Sequence, residues 1–395
     1  MKKAAPKRLS RFDRSNSSLF GRWWWTVDRP LFFTLLILIL CGMILVTAGS
    51  PPVAKRLGLD PFHFVFRQQG FLFFALMIMI AVSMFDPKQI RRISVLGLLG
   101  SFCLLCLLPI IGVENKGSVR WFPVPLLGTI QPSEFMKPFF AVVMAWVLSE
   151  RFRNPDFPSY RIAIALFIVF AGLVFIQPDL GMTLTLMGIF GVQMFLAGIP
   201  MLLVIVLGIL GVGVGVGAYI TMPHVRDRIE TFLNPAAENY QVTKSLQAFQ
   251  SGGFFGRGPG EGIIKWQIPD SHTDFIFAVA AEEFGVLLSI VLVLLFATVV
   301  LRSFWRASQT SDMFAMLSVV GLATQFGGQA FVNMGVSLKL LPAKGMTLPF
   351  MSYGGSSLVA MAIGMGMLLA LTRKRYGQLP SRRLQAYGLA ATHNT

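Results

Sequence analysis

Charge is scarce in this chain. Only 13% of its 395 residues are Asp, Glu, Lys or Arg, about half the share of an ordinary soluble domain. Together with 54% hydrophobic residues, that shortage excludes intrinsic disorder, whose signature is high charge and few apolar side chains. It excludes a secreted soluble enzyme as well. Three cysteines, Cys41, Cys103 and Cys106, are too few for a disulfide scaffold. Cys103-Leu-Leu-Cys106 has CxxC spacing but lies in an apolar run without charged neighbours, so it reads as packing rather than as a redox pair. The four histidines, His63, His224, His272 and His393, fall in no HExxH or Cys/His cluster, which argues against a tightly bound zinc or other metal site. Acids are the scarcest charge: 18 against 34 basic residues, a formal net charge of +16. No recognition helix, zinc-finger spacing or aromatic-basic platform accompanies that excess, so nucleic acid is not an expected partner. The basic N-terminus lacks a small-residue cleavage site and does not read as a cleaved signal peptide.

Long apolar runs are what the chain has in quantity, each long enough to cross about 30 Å of hydrocarbon. Length alone would suggest two or three soluble domains; the runs overrule it. Ten spans can be drawn, over residues 31–49, 66–84, 93–112, 134–149, 160–176, 180–198, 201–221, 275–301, 313–334 and 351–371. The expected fold class is therefore an all-α polytopic membrane protein. Its parts are a basic tail (1–30), a ten-span domain (31–371) and a second tail (372–395). With the N-terminus in the cytoplasm, 21 of the 34 basic residues fall in inner segments, as positive-inside bias requires. An even span count then brings the C-terminus back to the same side. Trp23, Trp24 and Trp25, just before the first span, fit an interfacial anchor. The glycines at 208, 211, 213, 215 and 217 surround their span rather than forming a stripe, and no Lys-Ser/Thr follows to make a phosphate loop. The longest outer segment, 222–274, is polar and glycine-rich, with a short amphipathic helix expected over 240–250. A connection of that length usually exists for function.

Polar residues at span boundaries say more than the apolar majority. Four clusters fall on the predicted outer side. The first, 113–138, supplies Glu114, Lys116, Arg120, Gln131, Ser133, Glu134 and Lys137; Pro132 starts a helix, and Glu134 and Lys137 then stand three apart on one face. In the second, Asp179 follows Pro178 at a helix start, where the positive end of the helix favours it. The third ends in HTDF (272–275), and the fourth covers 333–357. Any one such residue can simply snorkel or satisfy a helix end; four clusters on one side point to a polar chamber. Asp274 stands out, a carboxylate at the lip of a strongly apolar helix that needs a partner, since an isolated buried charge is costly. Lys137 is the partner expected. The pair reads equally as an inert strut or as a base held beside a substrate. Glu282 and Glu283 lie deeper in the same helix.

The motifs QPSEFMK (131–137), QPDLG (177–181), YQVTKSLQAFQSGGFFGRG (240–258), HTDFIF (272–277) and PAKGMTLPFMSYGGSS (342–357) resemble those of the SEDS family of bacterial shape, elongation, division and sporulation proteins. The resemblance covers nearly the whole chain. Lys344, Thr347 and Phe350, with the long basic N-terminus, make it more similar to the family's cell-division member than to its elongation member. The resemblance implies a ten-span peptidoglycan glycosyltransferase of the bacterial inner membrane, acting at the septum, that polymerises lipid II outside the membrane. It also implies a class B penicillin-binding transpeptidase and other division proteins as partners. Asp274 matches the family's essential aspartate. Arg120, Glu134, Lys137, Asp179 and Lys344 match its substrate-binding or supporting positions, with Asp270, His272 and Ser352 as further support. The chain departs from the family pattern at Asp270, where a glutamate is common, at NKGSVRW and at SLKLLPAKG, so Ser337 receives no ligand role.

The implied chemistry needs no nucleotide fold, because the donor sugar is already activated on a lipid-linked pyrophosphate. An acceptor hydroxyl attacks an anomeric carbon as pyrophosphate leaves. Asp274 would take the hydroxyl proton, and Arg120, Lys137 or Lys344 would stabilise the leaving charge. No tightly bound cofactor is expected; a divalent cation at the substrate pyrophosphate stays open, without a dedicated metal motif. Two other functions remain open on the residues alone: a lipid II flippase, which many spans with internal polar groups would suit, and a noncatalytic division scaffold. Against the flippase, the polar motifs gather on one side rather than tracing a path across the bilayer.

Overall fold

Helix starts in this chain are written into its prolines and aspartates. Pro30, Pro87, Pro132 and Pro223 occupy first-turn positions, where the missing N–H costs nothing, and Asp28, Asp86, Asp179 and Asp312 are N-caps. The computed structural model describes residues 19–115, 118–124, 128–177, 179–234, 240–342 and 345–374. Its elements run α1 (Leu19–Thr26), α2 (Arg29–Arg56), α3 (His63–Ser83), α4 (Pro87–Ile111), β1 (Val113–Asn115), β2 (Ser118–Val124), β3 (Gly128–Ile130) and α5 (Pro132–Glu150). Next come α6 (Ser159–Ile176), α7 (Leu180–Leu196), α8 (Met201–Thr221), α9 (Pro223–Leu233), α10 (Tyr240–Gly252), a 3-10 turn (Ile264–Gln267), α11 (Ile276–Ser308), α12 (Met313–Ser337) and α13 (Gly355–Leu371).

Seven of these helices, α2, α3, α4, α6, α8, α11 and α12, are long and apolar enough to cross a membrane, and α7 and α13 are shorter apolar helices. The chain is a mostly helical polytopic membrane protein. Nearly every residue of α5 is buried, the mark of a helix at the centre of a bundle, while α8 turns large apolar side chains such as Leu202, Ile209 and Ile220 outward. Gln193 of α7 ties the centre together: its Nε2 donates to the carbonyls of Ala141 on α5 (2.7 Å) and Leu317 on α12 (2.9 Å). Cys103 and Cys106 are exposed free thiols on α4, so they are not the packing residues their apolar setting led us to expect. The helix expected over 240–250 is present as α10. Two spans run past their expected ends, α2 through Pro51 and Pro52 to Arg56 and α11 to Ser308, because leaving hydrocarbon does not by itself end a helix.

All-α describes the bundle but not the segment between α4 and α5. There β1, β2 and β3 form a small antiparallel sheet in that order, with Val113 opposite Trp121 and Phe122 opposite Ile130. The stretch Ser118–Val124 is too short to span and rich in β-branched and aromatic side chains, which suit a pleated surface.

The second departure is inside α11. Gly285 has φ 80° and ψ −178°, a conformation open essentially to glycine alone, and a Cβ there would overlap the carbonyl oxygen of Phe254. The break frees main-chain groups, and the segment 253–258 supplies their partners. Arg257 N–H donates to Glu282 O (2.9 Å) and Gly258 N–H to Glu283 O (3.0 Å); Val286 N–H donates to Gly253 O (2.9 Å) and Leu287 N–H to Phe254 O (3.3 Å). Just before the break, the buried Glu282 carboxylate accepts the N–H groups of Ile263 (2.7 Å), Ile264 (2.6 Å) and Lys265 (2.8 Å). Glu283 pairs with buried Lys265. Both acids therefore fasten residues 263–265 to α11.

Candidate active site

Asp274 sits on the turn that enters α11. The carbonyl of Asp270 accepts the N–H groups of Thr273 (3.2 Å) and Asp274 (3.1 Å), which closes the turn and leaves the Asp274 side chain half-buried at the helix mouth. Gly345 lies against it, so close that an added Cβ would stand 3.1 Å from Asp274 Oδ2. One side chain joins the two strands of chain: Asn333 Nδ2, on α12, donates to Asp274 O (2.8 Å) and to Met346 O (2.6 Å).

One helical turn earlier on α12, Gln329 does the same for the next residue. Its Nε2 donates to Thr347 O (3.0 Å) and Thr347 Oγ1 (3.1 Å), and Thr347 Oγ1 lies 2.7 Å from Ser357 Oγ. Its Oε1 accepts from Lys137 Nζ at 2.9 Å. The fully buried Lys137 is paired with Glu134 at 2.8 Å on the same helix. This corrects the expected Lys137–Asp274 pair. A buried ammonium takes the carboxylate that helix geometry delivers, three residues away on its own face. Lys137 is linked to Asp274 only indirectly, through Gln329, residues 345–347 and Asn333.

Arg120, on β2, forms the second cationic group. Its Nη1 lies 3.4 Å from Asp179 Oδ2, and its Nε donates to Gln177 O at 3.0 Å. Asp179 also caps α7, accepting Met182 N–H at 3.1 Å. Gly181 packs on Met346, whose Sδ is 3.2 Å from where a Cβ would be. Gly345, Met346 and Thr347 thus meet, in turn, Asp274, Gly181 beside Asp179, and Gln329, which holds Lys137.

Ser352 and His272 hold that segment from the other side. Ser352 Oγ accepts Leu348 N–H (2.7 Å) and donates to Thr273 O, while Gln68 Nε2 of α3 donates to Ser352 O (3.1 Å). The His272 carbonyl accepts Tyr353 N–H at 2.8 Å. Its ring packs between Phe64 (centroids 4.9 Å) and Tyr353 (5.2 Å). Burial lowers the imidazole pKa to about 4 against the opposing pull of Asp270, so the ring is neutral at physiological pH and serves packing. The Asp270 carboxylate accepts from Gln241 Nε2 at 3.4 Å. Lys344 and Lys116 lie outside the described residues, as do Pro178 and most of both tails. Among the described residues, no three of His, Cys, Asp and Glu gather into a metal-holding group.

Chemically, the arrangement offers a reachable carboxylate on a fixed turn and a partly exposed guanidinium, with a buried ion pair bracing the segment between them. Gln329 and Asn333 were missed as site residues in the sequence, although two amides four apart in an apolar span are a signal of their own.

Comparison with known proteins agrees along almost the entire chain. Residues 28–377 match the family model that groups FtsW, RodA and SpoVE under the description cell cycle protein. A probable peptidoglycan glycosyltransferase FtsW from Caulobacter vibrioides is 42% identical over 370 residues, covering 93% of this chain and 94% of the relative. Its counterpart from Alkalilimnicola ehrlichii is 37% identical over 374 residues, with 92% of each covered. Among solved structures, a chain from a peptidoglycan synthase complex, solved to describe the coordination of polymerization and crosslinking, superposes with TM-score 0.75 at 27% identity over 90% of this chain and all of that one. The rod shape determining protein RodA of Thermus thermophilus superposes with TM-score 0.64 at 26% identity, covering 90% of this chain and 99% of RodA. The chain belongs to the FtsW/RodA/SpoVE family of cell cycle proteins, the SEDS family that its motifs resemble.

Proposed function

We propose that this chain is a septal peptidoglycan glycosyltransferase, which polymerises lipid II into β-1,4-linked glycan during bacterial cell division. The observation that carries the reading is the half-buried Asp274, whose main chain is tied by its turn and by Asn333 to the segment that packs through Met346 on Gly181, beside Asp179, and through Thr347 on Gln329, the partner of Lys137. In the reaction, the acceptor hydroxyl forms a bond to the donor's anomeric carbon, the bond from that carbon to pyrophosphate oxygen breaks, and the hydroxyl proton passes to Asp274. Arg120, oriented by Asp179, stabilises the charge growing on the leaving pyrophosphate, and Lys344 belongs to the same role. Glu134, Lys137 and Gln329 are positioning residues. Asp270, His272 and Ser352 shape the turn that presents Asp274.

The membrane arrangement follows. The seven long helices with α5, α7 and α13 make ten spans. Residues 1–30 and 372–395 lie in the cytoplasm and 222–274 with the Asp274 turn outside, a reading that the positive-inside bias of the basic segments supports. The partner is a class B penicillin-binding transpeptidase, contacted through α11, α12 or the adjoining outer segments, within the larger division assembly. The family relationship and the likeness to a peptidoglycan synthase complex support that pairing.

Purified protein in lipid vesicles supplied with lipid II tests the activity, alone and with the cognate crosslinking enzyme. A polymerase lengthens glycan. Movement of labelled lipid without lengthening would establish a flippase instead, and neither outcome would leave a scaffold.

A further inference from the structure

The end of the bundle opposite Asp274 holds a cavity of about 1280 Å³. It is framed by α1, the first turns of α2, α4 and α12, the last turns of α11 and α13, and the chain just after α5. Nine basic side chains line it against two acidic ones. Both acids already serve as helix caps: Asp86 forms a capping box with Gln89, and Asp312 accepts Phe314 N–H at 3.1 Å. Arg302 (2.6 Å) and Arg306 share one buried carboxylate, Asp28. Arg22, Lys88 and Arg153 are exposed and, among the described residues, make no ion pair.

Topology alone does not account for this. Positive-inside bias puts basic residues at span ends, and Arg92, Arg151 and Arg161 obey it from outside the cavity at the same end. It gives no reason to gather nine into one concave space, where like charges repel and low-dielectric walls focus their field. A ligand bearing phosphate relieves that repulsion. The protein's own tails do not fit, for residues 1–18 carry six basic side chains and one acidic, and 375–395 carry three basic and none acidic.

The aromatic lining identifies the kind of phosphate. Trp25 and Trp146 line the cavity. The Arg29 guanidinium lies 4.5 Å from the Trp25 ring centroid, and that of Arg91 lies 5.0 Å from Trp146. Indoles of this sort sit at head-group depth, and Pro30, Phe314 and Ala370 at the ends of apolar helices complete the wall. We propose that this cavity binds the phosphate head group of an anionic phospholipid. The site is separate from the glycan chemistry, and its test does not depend on lipid II.

The full-length protein in phosphatidylcholine nanodiscs is titrated with phosphatidylglycerol, and retained lipid is measured by native mass spectrometry. Each basic residue that lines the cavity and faces the bound phosphate contributes about a fivefold factor, the size of one basic contact with an anionic surface. Replacing Arg22, Lys88 and Arg153 together by Gln should therefore weaken binding roughly a hundredfold. Replacing Arg92, Arg151 and Arg161 by Gln removes the same charge from the same end and should change it less than about threefold, as the residues lie outside the cavity. If the lining variant fails to insert, the exposed single change Lys88→Gln carries the test, with about a fivefold loss expected. Equal losses in the two triple variants, or no phosphatidylglycerol selectivity in the unaltered protein, would overturn the proposal. So would glycerol 1-phosphate binding as tightly as the lipid, because the cavity would then be a site for soluble anions.

Discussion

Replacing Lys137 by Met strips the buried ammonium from a carboxylate 2.8 Å away and from the Gln329 oxygen 2.9 Å away. Glu134 is only 5% exposed, so its charge is left in a place water barely reaches. Breaking a buried pair from one side costs about 3–5 kcal/mol. The Gln329 oxygen loses its donor too, and with it part of the brace on Thr347. Lys137→Met should therefore lower stability by about 4 kcal/mol. The double variant Glu134→Gln/Lys137→Met removes both charges and should recover at least about 2 kcal/mol of that, a coupling typical of residues in contact. Urea or thermal unfolding in detergent gives the four corners of the cycle, and polymerisation by the same four samples gives turnover. If Lys137 acts only by positioning the segment, turnover should recover along with stability in the double variant. A Lys137→Met protein as stable as the parent would refute the reasoning, and so would a double variant no better than the single.

Asp274→Asn keeps the shape of the turn but cannot accept a proton; turnover at saturating lipid II should fall roughly 10²–10⁴-fold with unfolding unchanged, and near-normal turnover would remove the base assignment. Gly285→Ala places a side chain at φ 80° into the Phe254 carbonyl, so the expected loss is about 3 kcal/mol or more, read as faster proteolysis within 253–258. His272 has a folded pKa of about 4 against an ordinary 6.5, so the unfolded chain binds the extra proton between those values. Its contribution is complete above about pH 6.5 and is lost as pH falls towards 4, by up to about 3 kcal/mol. His272→Phe should flatten that part of the stability profile, and an unchanged acid slope would contradict the burial argument.

The features legible in the sequence were the local ones. Proline at 132 with Glu134 and Lys137 three apart fixes two side chains on one face whatever surrounds them, and the ion pair is there. Asp179 at a helix start behaves as the helix dipole requires. The helix over 240–250 follows from its own periodicity. What escaped depends on residues far apart in the chain. The link from Lys137 to Gln329 spans 192 positions, and no spacing rule reaches that far, so Lys137 was matched with the most conspicuous acid instead of the nearest. The break at Gly285 lay hidden in a run apolar enough to pass for one helix, since its closing bonds come from another segment. The sheet at 113–130 rests on strand pairings, Val113 with Trp121 and Phe122 with Ile130, in a stretch noted in the sequence only for its polar residues.

The way the gap in α11 is closed sets an unusual rule for the segment 253–258. Its four bonds to the helix use only N–H and C=O groups, which every residue except proline possesses. Phe254 and Phe255 are 73% and 81% exposed, so their side chains can change without touching those bonds. Length is another matter. The acceptors at Gly253 and Phe254 and the donors at Arg257 and Gly258 face fixed positions on either side of Gly285, and one inserted residue between the two pairs would put half of them out of step. The segment is thus strict in counting everywhere and permissive in spelling only between its glycines, because Gly253, Gly256 and Gly258 hold φ of 56°, 82° and 110° and a Cβ on Gly256 would overlap the carbonyl oxygen of Glu283.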